Sequence, residues 1–484
     1  MDSNLTSPLS GLSTTAAPHD SVPGEKFAPG DTCFILVCTA LVWLMIPGVG
    51  YFYSGMARSK SALSLIMLSF CSVAVVSIQW FLFGYSLTFS DNANFFIGDF
   101  KHIFLRGVWD NPSMSSDKIP ELVFCLYQAM FAGITPALAI GAAAERGRFL
   151  PTLVFIFLWT TFVYDFLACW TWNKNGWSLQ LGGLDFAGGT PVHISSGAAA
   201  LAYAVVLGHR EKAHEKEEFK PHNMANVFLG TALIWFGWFG FNGGSALSPN
   251  IQAVLACFVS NLSASVGGIT WLLMDYRHEK KFSAMGFCAG AVAGLVCITP
   301  GCGYVSPASA IAFGFFGAVS CNFALNLKHW LNYDDALDVF AVHGVGGIVG
   351  NILTGVFAQK EFGGEIEGGW LDGHWMQVPH QLADTAAGLT WSFVVTYIIL
   401  FIMNKIPGLS LRADIGVERA GLDQAELGFS CYEYVEDVKS TSQLHFGNFG
   451  SGNPDDEVPN YKKNGVESMV MRQHPNHITH SERL

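Results

Sequence analysis

The chain reads as an all-α polytopic membrane protein of eleven transmembrane helices, an inverted five-helix repeat plus one extra helix. Three observations predict this. Of its 484 residues, 51% are hydrophobic and only 13% charged, against about 25% charged in soluble domains. Apolar runs long enough to span a bilayer recur along the chain. Two histidines sit in matching apolar contexts, in "TPVHISSG" (Thr190–Gly197) and "FAVHGVGG" (Phe340–Gly347).

In order, residues 1–32 form a polar N-terminal segment without the basic-then-apolar layout of a cleavable signal. The spans fall at 33–55, 62–88, 121–142, 150–172, 192–208, 226–243, 251–274, 284–300, 304–326, 336–357 and 382–404, so residues 33–404 make the membrane domain. Residues 405–484 form a polar tail whose end reads as disordered. Loops after odd-numbered spans hold twelve Lys and Arg, from Arg58 to Lys328; the N-terminal segment and the loops after even-numbered spans hold six. The richer side is cytoplasmic, which places the N-terminus outside and the C-terminus inside. "NLT" at Asn4–Thr6 is then an accessible glycosylation acceptor.

The fifth span is reached through "LDFAGGTPVH" and the tenth through "LDVFAVH", pairing Leu184-Asp185 with Leu337-Asp338. Five spans per half place the halves in opposite orientations, with a substrate path at their interface. His193 and His343 become symmetry mates. A polar ring in hydrocarbon is unfavourable enough to mark a functional position; two unrelated core histidines are the plainer reading, and the paired context favours the shared one.

Aromatic residues gather toward the outer ends. Tyr127 and Phe131 are four apart in the third span, and Phe241 and Ser245 four apart at the end of the sixth, hence on common helical faces. Trp170, Trp172 and Trp177 close the fourth span. Such a cluster either attracts a small cation over its ring faces, worth about 0.5–2 kcal/mol, or anchors helix ends at the interface. Asp185 either strengthens cation affinity or caps the coming helix. Glu145 with Arg146 reads as an ion pair at the cytoplasmic end.

Taken together, "LVWLMIPGVGYFYSGMARSK", "LDFAGGTPVH", "WFGWFGFNGGS", "GAVAGLVCITPGCGYV" and "DDALDVFAVHGVGGIVGNILTG" resemble the ammonium transporter family of the Amt and Mep type, over roughly residues 33–434. Length and tail are similar to its fungal members, and the retention of both His193 and His343 resembles the high-affinity subtype. The resemblance implies a plasma-membrane homotrimer, set among lipid, with a pore in each subunit. Trp172 and Ser245 match the outer cation-recruitment site, with Tyr127 as a further wall and Asp185 as the supporting acid. Phe131 and Phe241 match the paired aromatic gate, and His193 and His343 the twin pore histidines. The implied activity recruits NH4+ (or methylammonium), strips its proton and conducts NH3 with an electrogenic proton relay. The chain departs from the family pattern at Asn173-Lys174-Asn175, where glycines are common, and at Leu427 and Phe429 in the tail.

A sensing role, and a kinase acting on the tail at Ser440, Thr441 and Ser442, are compatible with this chain; a gas or urea channel is the other rival. No nucleophile–base set, phosphate loop or metal-ligand cluster argues for an enzyme or a cofactor. A formal charge of −12 argues against nucleic acid as a partner.

Overall fold

The computed structural model describes residues 26–211 and 220–432. Asn4, Ser440, Thr441, Ser442 and the end of the tail lie outside the described residues. Among those described, ten helices are long and apolar enough to cross a membrane. They are Pro29–Met56, Ser59–Phe89, Glu121–Ala143, Phe149–Leu181, Gly189–Leu207, Met224–Gly243, Ile251–Glu279, Pro307–Trp330, Phe340–Phe357 and Gln377–Met403. The run expected at 284–300 is a shorter apolar helix, Ala284–Ile298. At 15 residues it is about 22 Å long, and its residues from Cys288 to Ile298 are all buried. Helix thus occupies every expected span; in chain order the short helix is the eighth and Gln377–Met403 the eleventh.

Local chemistry sets the boundaries. Asn223, Asn250, Ser283 and Ser306 accept hydrogen bonds from Asn226 N, Ala253 N, Gly286 N and Ser309 N, capping four helices. Asn173 ends the regular part of the fourth span: its buried Nδ2 donates to Thr88 O and Ser90 O, and the chain breaks before resuming at Trp177. Between the second and third spans lies one strand pair not read from the sequence, Pro112–Ser113 against Ser116–Pro120.

The two halves meet at their equivalent members. The first span packs against the sixth, and the fifth against the tenth. Five spans contain a π-helical turn: Trp80–Gly84, Thr160–Tyr164, Gly189–Ile194, Phe239–Gly243 and Phe340–Val345. Such turns break the regular bonding ladder and recur at functional positions.

The loops after odd-numbered spans converge at one end with the tail. Glu145 does not pair with Arg146. It bonds Arg58 Nε at 2.6 Å and lies 3.5 Å from Arg210 Nη1, while Arg210 grips Asp334 at 2.9 Å. Arg146, fully buried, donates instead to the carbonyls of Ala142 and Asp334. Glu145 itself has φ +70°, in the left-handed region uncommon for a non-glycine residue. On the tail, Arg412 pairs with Glu418 at 2.9 Å, and Asp423 accepts from Leu63 N and Ser64 N at the start of the second span.

Candidate functional site

At the end of the site away from the tail lies a chain of touching rings. The Tyr127 and Phe131 rings lie 5.0 Å apart edge to face, Phe131 and Trp172 5.9 Å apart at 87°, and Phe131 and Phe241 only 4.2 Å apart. Phe131 and Phe241 are both buried where the third and sixth spans meet. The π-turn at Phe239–Gly243 ends the helix before Ser245, so the common-face spacing of Phe241 and Ser245 does not come from a continuing helix. The turn leaves carbonyls to be satisfied locally. Tyr127 Oη lies 2.8 Å from Gly240 O and 2.9 Å from Phe241 O, and Ser245 Oγ donates to Phe241 O at 2.9 Å. The Tyr127 hydroxyl is therefore engaged by these carbonyls, its ring is buried, and Ser245 Oγ sits 3.5 Å from the hydroxyl.

Trp172 is held by its Nε1–H donating to Asp185 O at 3.0 Å. The Asp185 carboxylate accepts from Gly188 N, Gly189 N and Thr190 N at 2.7–2.8 Å. Asp185 thus caps the π-turn that carries His193 and anchors the tryptophan through its carbonyl. Burial, followed by the charge of Asp384, pushes its carboxyl up to about 6 despite those three donors. Lys174 is 3.7 Å from Asp91, which also holds Lys101 at 3.0 Å, so two exposed lysines share one carboxylate. Trp170 and Trp177 pack on each other at 5.6 Å, and Trp170 bonds Phe96 O, both structural contacts.

Next to Phe241, whose ring lies 6.1 Å from that of His193, His193 Nδ1 and His343 Nδ1 approach to 3.3 Å. Gly197 and Gly344 remove the side chains that would keep the two backbones apart. His193 also stacks on Trp238 at 5.4 Å and 18°. A Nδ1–Nδ1 bond needs one donor and one acceptor, so the rings adopt opposite tautomers. One Nε2 is then bare and the other protonated. His193 Nε2 is buried and meets no protein partner. From the histidines a cavity of about 930 Å³ continues past Trp238 and Val339 to Arg210, Asp334 and Lys328 at the tail-bearing end.

The repeat register differs from the one read in the sequence. Asp338 is not the counterpart of Asp185: it has φ +58° and its carboxylate bonds Lys328 at 2.6 Å. Asp335 is the counterpart. It accepts from Phe340 N at 2.8 Å at the head of the second histidine's π-turn, and burial, then the charge of Asp338, raises its carboxyl to about 6. Counting eight residues back from each histidine reaches Asp185 and Asp335, a signal that was present in the sequence. Trp238 and Asp384 were also missed, the first among interfacial aromatics, the second in the unmatched last span.

The family model for the Ammonium Transporter Family matches residues 33–432. Ammonium transporter 1 of Schizosaccharomyces pombe is 54% identical over 413 residues, covering 84% of this chain and 83% of that protein. Ammonium transporter MEP2 of Saccharomyces cerevisiae is 43% identical over 446 residues, covering 90% and 89%. The crystal structure of Candida albicans Mep2 superposes with a TM-score of 0.77 at 46% identity, over 80% of this chain and 87% of that one. Sequence and fold agree: the chain belongs to the ammonium transporter family.

Proposed function

We propose that the protein carries ammonium across the plasma membrane by separating the proton from the nitrogen. The observation that supports this most is the buried His193–His343 contact at 3.3 Å, placed between a shut aromatic pair and a wide cavity. NH4+ rests outside on the faces of Trp172 and Tyr127 beside Ser245, where ring quadrupoles contribute about 0.5–2 kcal/mol; Asp185 holds Trp172 there rather than touching the ion. An intact ion cannot pass Phe131 and Phe241 without losing its hydration in an apolar passage, which is far less favourable than passing a neutral molecule. NH4+ therefore releases H+, and NH3 moves when the rings part. The bare Nε2 of the histidine pair takes the proton, the shared Nδ1–H shifts across, and the other Nε2–H is released toward the inner cavity. This leaves both imidazoles in the reversed tautomers, and each must exchange tautomer before the next proton is taken. The two routes together return NH4+ inside, and one positive charge crosses per cycle.

Potassium, similar in size and charge, has no proton to give and is refused. The basic loops and the tail share one end, which supports a cytoplasmic C-terminus and an outer N-terminus. The test is current recorded in oocytes with ammonium or potassium. His193→Ala or His343→Ala should abolish the discrimination; unchanged ammonium current with unchanged potassium exclusion in both variants would refute the scheme.

A further inference from the structure

The last span has no partner in the repeat, yet it carries a regular inward stripe. Asp384, Gly388, Ser392 and Thr396 fall every fourth residue, and all are buried. Asp384 accepts from Ser178 Oγ at 2.5 Å and from Thr190 Oγ1, and Asn351 Nδ2 lies 3.4 Å away. Asn351 also donates to Thr190 Oγ1 at 2.8 Å. Gly388 leaves room for the Thr190 methyl, and Ser392 Oγ donates to Ser195 O at 2.6 Å. One turn earlier, Gln381 accepts from Leu184 N and donates to Leu184 O, both at 2.7 Å. The stripe therefore brackets residues 184–195, the segment that contains Asp185 and His193.

We propose that Asp384 is a positioning residue for the twin-histidine site, fixing both histidine helices through one carboxylate. Thr190 stands three residues before His193, within the same π-turn, and Asn351 stands eight after His343 on the tenth span. All three groups facing the carboxylate donate to it, which matches what an ionised acceptor requires. Without it, Thr190 and Asn351 lose their common anchor inside an apolar bundle, and rotation of either helix separates the imidazoles. A plain brace would need only packing; a shared acceptor between the two histidine helices defines their relative rotation.

This inference rests on the transport reading above, and one experiment separates the two. Ammonium and potassium currents are measured alongside surface protein for the parent, Asp384→Ala, Thr190→Val and Thr396→Val. Thr190→Val keeps the side-chain shape and removes only the hydroxyl link; Thr396 bonds Trp159 of the fourth span, away from the histidines. The expected result is that Asp384→Ala and Thr190→Val lose about tenfold or more in ammonium-over-potassium selectivity, with about a hundredfold the loss that a full 1 Å misplacement brings to a reacting geometry, while Thr396→Val keeps the parental ratio. If Asp384→Ala fails to reach the surface, Thr190→Val decides. Parental selectivity in these variants, with current reduced only in proportion to surface protein, overturns the positioning role alone. Absence of ammonium current in the parent overturns the transport reading and this inference with it.

Discussion

Gly197 and Gly344 touch backbone to backbone: a Cβ built on Gly197 would collide with the amide nitrogen and Cα of Gly344. Gly197 lies one turn beyond His193 and Gly344 directly follows His343, so this contact sets how close the two imidazoles come. Gly197→Ala should force the fifth and tenth spans apart, at about 1–3 kcal/mol of overpacking. Reduced selectivity together with a lowered melting temperature in detergent is expected. A variant that melts and discriminates like the parent would remove the glycine contact from the account.

The Glu145 carboxylate, 1% exposed, sits between the guanidiniums of Arg58 and Arg210. Removing one partner of a buried ion pair destabilises by about 3–5 kcal/mol because the remaining charge stays desolvated. Glu145→Ala should therefore lower thermal stability strongly, and Glu145→Gln less, since the amide oxygen still accepts. Equal melting of Glu145→Ala and parent in the same detergent would disprove this.

Asp185 and Asp335 both titrate near 6 in the folded protein instead of the ordinary 3.8, chiefly because they are buried. Between those values the folded chain holds more protons than the unfolded one, so stability falls as pH rises across the window and is level above it. A displacement of about two pH units is worth about 3 kcal/mol per carboxyl. Melting temperature should accordingly decline on going from pH 4 to pH 6, and the double variant Asp185→Asn, Asp335→Asn should flatten that slope. A slope that persists in the double variant points to other groups.

Asp423 accepts from two backbone N–H groups at the start of the second span, as a helix-capping side chain does although it comes from the tail. Asp423→Ala should weaken tail docking by about 1 kcal/mol, roughly a fivefold rise in the undocked population and in cleavage at Arg412 and Arg419 by trypsin. Cleavage at the parental rate would mean the tail is held by its other contacts.

Much of the site was legible because its chemistry is written in residue types that are rare in hydrocarbon. His193 and His343 stand out for that reason, and the Tyr127–Phe131 spacing survives because the third span is regular across it. The register of the second repeat was misread because Leu-Asp recurs at Leu337-Asp338, whereas the capping acid is Asp335; sequence likeness followed the letters and the backbone followed the N–H groups needing an acceptor. Glu145 and Arg146 look like a pair on paper, but Glu145 faces Arg58 and Arg210 while Arg146 bonds the carbonyls of Ala142 and Asp334, partners that sequence adjacency does not reveal. Asp384 was invisible because the eleventh span stands outside the repeat, and only the folded arrangement brings Thr190 and Asn351 to it.

A π-turn is one surplus residue wound into a helix, and everything beyond it is rotated by about 100° relative to an uninterrupted coil. Both histidine segments carry such a surplus, at Gly189–Ile194 and Phe340–Val345. Excising a single amino acid from either would let the helix relax to ordinary winding, swinging its imidazole out of alignment while leaving composition and hydropathy nearly unchanged. Shortened alleles of this kind would pass any inspection for membrane insertion and still be dead, which makes single-codon deletions, more than substitutions, the sensitive genetic probe of these two windings.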